Sequence, residues 1–198
     1  MKRCIALFQH GWADWEAGCI LAALREHFGF EVVVATPAGA DVTSIGGVRA
    51  GADLSFEAAG ATKSDLILAI GSDAWMRGED AHVSRLLRQA DGLSVPIGAI
   101  CAGTVAAAQA GLLNDRAHTS NERGFLQAQA PGYRGADHYQ DSYQAVTGRR
   151  LVTASGMAPI SFALSVLRLV SPDNLAGIDS YETLLRREHR DVAAHPPS

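Results

Sequence analysis

Five short apolar runs rich in β-branched residues, at Arg3–Phe8, Glu31–Ala35, Asp65–Ile70, Val95–Ile100 and Leu151–Ala154, constrain this chain more than any other feature. Each is bounded by Gly/Pro punctuation, and helical patterns lie between them at Asp14–Phe28, Ala81–Ala90, Ala102–Leu112 and Pro159–Leu169. Continuous apolar runs fit strands buried on both faces, so the β-α-β order predicts a mostly parallel sheet with helices on both sides. The first helix has Trp15, Cys19, Leu21, Ala22 and Leu24 at helical spacing, Asp14 and Glu16 in its first turn, and Gly29 just past its end. Two hairpins are expected, around Gly46-Gly47 in Val42–Ala50 and around Thr147-Gly148 in Tyr143–Ala154.

With 198 residues, 47% hydrophobic and 19% charged, the chain suits one domain, expected over residues 1–190 with a flexible tail over 191–198. The net charge of −4 and the lack of clustered Lys and Arg argue against a nucleic-acid partner. Arg186, Arg187 and Arg190, interleaved with Glu188 and Asp191, read as a solvated helix face. No run reaches the roughly 18 apolar residues of a membrane helix, and the basic Met1-Lys2-Arg3 leads into a strand rather than an export signal, so no membrane partner and a cytoplasmic location are expected. The odd set Cys4, Cys19 and Cys101 matches neither a disulfide framework nor a zinc site, and no phosphate-binding glycine loop is present, so no metal or cofactor is expected.

Ligands in such sheets bind just beyond the carboxyl ends of strands. The residues concerned are His10 to Glu16, Gly71 to Trp75 (with Asp73 among them) and Cys101 to Thr104. The last group is the most informative. Ser94-Val-Pro-Ile-Gly-Ala-Ile-Cys101-Ala-Gly-Thr-Val passes from strand into Ala-rich helix with almost no loop. Ala99-x-Cys101-x-Gly103 has the small-x-nucleophile-x-small form of a nucleophile elbow. A thiol at a helix N-terminus faces unpaired N–H groups, which can lower its pKa from about 8.5 into the range of roughly 3.5–7.5.

With Ala13-Asp-Trp-Glu16, Ala110-Gly-Leu-Leu113 and Thr153-Ala-Ser-Gly156, this stretch resembles the ThiJ/PfpI superfamily of the class I glutamine amidotransferase-like fold over about residues 3–170. The resemblance implies a flavodoxin-like doubly wound α/β fold, a homodimer, and one of several activities: glyoxalase, deglycase, isocyanide hydratase, peptidase or redox-responsive chaperone. By position it assigns Cys101 as nucleophile and Glu16 as the acid meeting its sulfur, with Gly71, Ser72 and Ala102 forming the oxyanion hole. Two contacting anions repel, so Glu16 is expected protonated, its pKa raised by burial and coupled to that of Cys101.

Departures from the pattern are equally specific. The usual triad histidine aligns with Asn121, His118 falls three residues earlier, and the histidine that the peptidase branch carries after its cysteine is Ala102. His189-Arg190-Asp191 is no amidotransferase His-x-Glu. Candidates to line the pocket are therefore His10, Asp73, His118, Asn121, Tyr139 and Gly156. Two expectations follow: a cysteine-dependent enzyme acting on a small electrophilic molecule (an aldehyde, ketoaldehyde, amide or isocyanide) with Glu16 shuttling a proton, or a redox-responsive, stress-protective protein that senses oxidants at Cys101. An isolated glutaminase subunit is a distant third.

Overall fold

The computed structural model describes residues 1–187. Nine strands and six helices follow in the order β1 (Lys2–Leu7), α1 (Asp14–Glu26), β2 (Phe30–Thr36), β3 (Val42–Thr43), β4 (Arg49–Ala50), β5 (Leu54–Ser55), β6 (Leu66–Ala69), α2 (Ala81–Gly92), β7 (Ile97–Ile100), α3 (Gly103–Gln109), α4 (Phe125–Gln129), β8 (Val146–Gly148), β9 (Leu151–Ala154), α5 (Pro159–Val170) and α6 (Leu175–Leu185). The main sheet runs β5-β2-β1-β6-β7-β9-β8, parallel throughout except for the β8–β9 pair.

The period-two geometry of the strands divides the core in two. Ile5, Leu7, Ile67, Ala69, Ile97 and Ala99 face one way and pack against α2 and α3; Cys4, Ala6, Leu66, Leu68 and Ile70 face the other and pack against α1, α5 and α6. Covering both faces explains why the strands read as unbroken apolar runs.

Strand order reverses beside β1, since the chain builds outward through β2 to β5 and then returns to lay β6 on the opposite side. The register brings the strand ends level: Leu7 pairs with Ala69, Ala69 with Ala99, and Ile100 with Ala154. The residues that follow these four strands therefore meet above one edge of the sheet.

The five expected strands and the four expected helices all form, with α3 shorter than expected at seven residues. The first hairpin is β3–β4. In the second, Thr147-Gly148 lies within β8 and the turn falls at Arg149-Arg150, with Arg149 left-handed at φ 51°. Gly148 is needed for close approach, because a side chain there would run into the backbone carbonyl of Ala117. Among the segments not anticipated, β5 and α4 are too short to show a period. Ahead of the charged helix expected around Arg186 to Asp191 the chain forms α6, which ends at Leu185 and whose Ile178 and Tyr181 are buried. Arg186 and Arg187 follow it; residues 188–198, including His189 and the expected tail, lie outside the described residues. Among the described residues, no helix is long and apolar enough to cross a membrane.

Candidate active site

Cys101 occupies the junction of β7 and α3 with φ 56°, a left-handed conformation that costs a non-glycine residue roughly 1–3 kcal/mol. The geometry around it maintains that strain. Its amide donates to the Ala154 carbonyl at 2.9 Å, and its own carbonyl accepts from the Thr104 hydroxyl at 2.6 Å. Ser120 donates in turn to Thr104 at 2.7 Å. Gly103 lets α3 approach β6 so closely that a Cβ would collide with the Ala69 carbonyl. The smallness of the elbow's second flank is thus a packing requirement.

Glu16, in the first turn of α1, is fully buried. One carboxyl oxygen, Oε2, accepts from the Gly71 amide at 2.9 Å. The other, Oε1, has no conventional hydrogen-bond partner, and the group it meets is the Cys101 thiol. Gly156 closes over both: a Cβ there would lie 2.8 Å from Glu16 Oε1 and 2.9 Å from Cys101 Sγ. Gly71 closes the opposite side, where a Cβ would come 2.7 Å from Cys101 Cβ. The two glycines leave room for a carboxyl and a sulfur in contact and for little else.

Burial pushes the Glu16 carboxyl up to about 7, against smaller opposing effects of the Cys101 and Gly71 hydrogen bonds. Burial also pushes the Cys101 thiol up to about 11, and the Glu16 charge adds to the rise. Asn121 and the Ala102 amide oppose it without prevailing. The thiol lowered by a helix terminus, expected from sequence, is corrected: α3 has only seven residues, and loss of water around the sulfur outweighs its amides. A proton on Glu16 removes the repulsion, so the pair shares protons as one coupled unit.

Placement of the remaining candidates is uneven. The Gly71 amide is committed to Glu16, the Ala102 amide bears on the Cys101 sulfur, and the Ser72 amide has no acceptor among the described residues. Ser72 Oγ donates to the His10 carbonyl at 2.6 Å and caps the turn Asp73–Arg77, in which Asp73 is exposed. The His10 ring turns to the β3 hairpin, its Nδ1 accepting from the Thr43 amide at 3.4 Å. His118 is buried, with Nδ1 at 2.8 Å from the Arg116 carbonyl and Nε2 at 2.7 Å from the Tyr133 hydroxyl. The carbonyl can only accept, so Nδ1 carries the proton and Nε2 accepts from Tyr133; neither nitrogen is left for the sulfur. Tyr139 packs on the edge of the His118 ring, and Arg123 lies over it at 5.4 Å. Asn121 is the residue brought to the sulfur, with Nδ2 at 3.4 Å from Sγ.

Sequence reading did not assign Trp15 a partner. It is 48% exposed, and its indole N–H donates to the Gly156 carbonyl at 2.9 Å. Its place one residue before Glu16 was the available signal. Trp12 and Trp75 are core residues, the first stacked on Phe8 and the second donating to the Ile70 carbonyl.

A doubly wound α/β sheet with a strained cysteine elbow above the carboxyl ends of its strands and a buried acid against the sulfur defines the class of protein. Residues 1–169 match the DJ-1/PfpI family, and the chain belongs to it. It is similar to two Bacillus subtilis proteins, each bearing the name uncharacterized protease: YoaZ, 34% identical over 84% of this chain and 83% of that protein, and YdeA, 31% identical over 88% of each. Among solved structures, a DJ-1 superfamily protein from Agrobacterium tumefaciens is 34% identical with a TM-score of 0.84, covering 96% of this chain and all of that one (100%). A thiJ/pfpI family protein from Bacillus anthracis is 28% identical with a TM-score of 0.79, covering 94% and 91%.

Proposed function

We propose that this protein is a cysteine-dependent enzyme in which Cys101 adds to a small electrophilic carbon while Glu16 carries the proton. The observation behind this reading is the contact between a strained, elbow-mounted thiol and a buried carboxyl with no other partner for Oε1. The ionised form of Glu16, present in part near neutral pH with a carboxyl at about 7, takes the thiol proton as sulfur bonds to carbon and returns it to the oxygen or nitrogen that gains charge, which faces the Ser72 and Ala102 amides. A well-aimed donor of that kind contributes roughly 3 kcal/mol to a transition state. Reactive aldehydes, ketoaldehydes, activated amides and isocyanides suit a nucleophile without an imidazole. Cleaving an ordinary peptide bond needs a stronger acid for the leaving amine than the apolar Ala102 beside the sulfur supplies. The protease names of the relatives extend here only to cysteine-dependent hydrolysis. A reducing, cytoplasmic setting suits three free thiols.

Screening these substrate classes with wild-type and Cys101→Ala protein tests the reading. Turnover that depends on Cys101 is expected; a substrate turned over equally well by Cys101→Ala would overturn it. A second reading, a redox-responsive stress protein, is favoured by the commitment of both His118 nitrogens, which leaves the sulfur without an imidazole base. In that case graded peroxide should oxidise Cys101 ahead of Cys4 and Cys19, read by peptide mass spectrometry. Equal oxidation of all three would remove this alternative.

A homodimer belongs to the proposal. Trp15, Ile45, Val48 and Met157 are exposed apolar side chains on α1, the β3–β4 hairpin and the loop after β9. Sedimentation at micromolar concentration is expected to give twice the monomer mass, and a lone monomer would refute pairing.

A further inference from the structure

The Asn121 amide is oriented by its neighbours. Gly156 donates its N–H to Asn121 Oδ1 at 3.1 Å, and an N–H can be accepted only by the oxygen end of an amide. The nitrogen end must then face the other way, where it meets Cys101 Sγ at 3.4 Å. Gly156 is itself held, its carbonyl accepting from the Trp15 indole at 2.9 Å. A continuous chain of hydrogen bonds, Trp15 to Gly156 to Asn121 to Cys101, therefore ends on the sulfur from the side away from the core. From the buried side the sulfur meets Glu16.

We propose that Asn121 is a catalytic residue, a fixed and non-titrating hydrogen-bond donor to the Cys101 sulfur, with Gly156 and Trp15 as the residues that position it. The inference rests on the reactive-thiol reading and deepens it by dividing the work at the sulfur. When the S–H proton moves to Glu16, sulfur gains negative charge and the amide N–H donates to it more strongly. Asn121 cannot take or give up that proton, so Glu16 alone moves it. Trp15 and Glu16 are adjacent in α1, so one turn of helix supplies the acid and secures the donor.

The test is the rate of Cys101 alkylation by iodoacetamide at pH 7.5 in the full-length protein, resolved by peptide mass spectrometry, with thermal midpoints checking that each variant folds. Asn121→Asp keeps the oxygen for Gly156 and exchanges the donor for a negative charge, so alkylation is expected to slow by about tenfold or more. Asn121→Ala is expected to slow it by about 3- to 10-fold. Trp15→Phe keeps the ring and loses the N–H; about a twofold slowing is expected, and none when Asn121→Ala is already present, because the two residues act through one chain. Asn121→Asp within twofold of the parent rate, or a Trp15→Phe effect undiminished on the Asn121→Ala background, overturns the proposal while leaving the reactive-thiol reading standing. A parent protein whose Cys101 is not alkylated at any pH overturns both.

Discussion

The carboxyl of Glu16 changes its proton affinity on folding, and this gives stability a particular pH dependence. Its pKa rises from 4.5 to about 7 through burial, so the native state holds a proton that the unfolded chain releases between those values. An acid raised in this way contributes stability that is fully present below the unfolded pKa and lost as pH rises through the folded one. Urea titrations are expected to show stability falling from pH 5 to pH 8, with about 3 kcal/mol as the upper order of magnitude for the shift. In Glu16→Gln, which cannot ionise, that fall should disappear; an equal fall in both proteins would mean another group is responsible. Gly156→Ala tests the same pocket by volume. Its new methyl would meet both Glu16 Oε1 and Cys101 Sγ inside 3.0 Å. Alkylation of Cys101 should slow by more than about tenfold, because both reacting groups must shift.

At the scale of elements, the close seating of α3 on the sheet is the feature that places Cys101. A methyl at Gly103 would run into the Ala69 carbonyl, a backbone atom fixed in the ladder, so α3 would have to lift. Gly103→Ala is expected to cost about 2 kcal/mol and lower the thermal midpoint by roughly 4–8 °C. An unchanged midpoint would show that the helix is less tightly seated than its geometry requires. The elbow was legible in the chain because small flanks, strand and helix coincide within a few residues. Asn121 was legible only as a position where a histidine was missing. Its hold on the sulfur depends on the Gly156 amide, which comes from the loop after β9, and nothing in a local pattern can report that. His118 misled for the converse reason: its partners, the Arg116 carbonyl and the Tyr133 hydroxyl, become visible only when the chain folds back on itself. The Gly71 amide was read as an oxyanion donor from its place after β6, whereas it spends its hydrogen on Glu16. The second hairpin shows the same limit, since Gly148 looks like a turn residue and is instead a spacer beneath Ala117.

For the molecule as a whole, the mostly parallel sheet followed from the spacing of apolar runs; of its two short edge strands, β8 was anticipated within its hairpin, while β5 carried too few residues to announce itself. Those edges lie far from the chemistry in strand order, with β5 and β8 at the two ends and β1, β6, β7 and β9 bringing residues to the sulfur. Each neighbour of Cys101 arrives on a separate crossover: Glu16 after β1, Gly71 after β6, Asn121 ahead of α4, and Gly156 after β9. No contiguous stretch of chain contains a working part of the site. The reactivity of one sulfur atom is therefore a readout of the assembled sheet, and two fragments divided anywhere between β1 and β9 should be equally inert apart and regain alkylation together, in a single step, only when the parallel ladder closes.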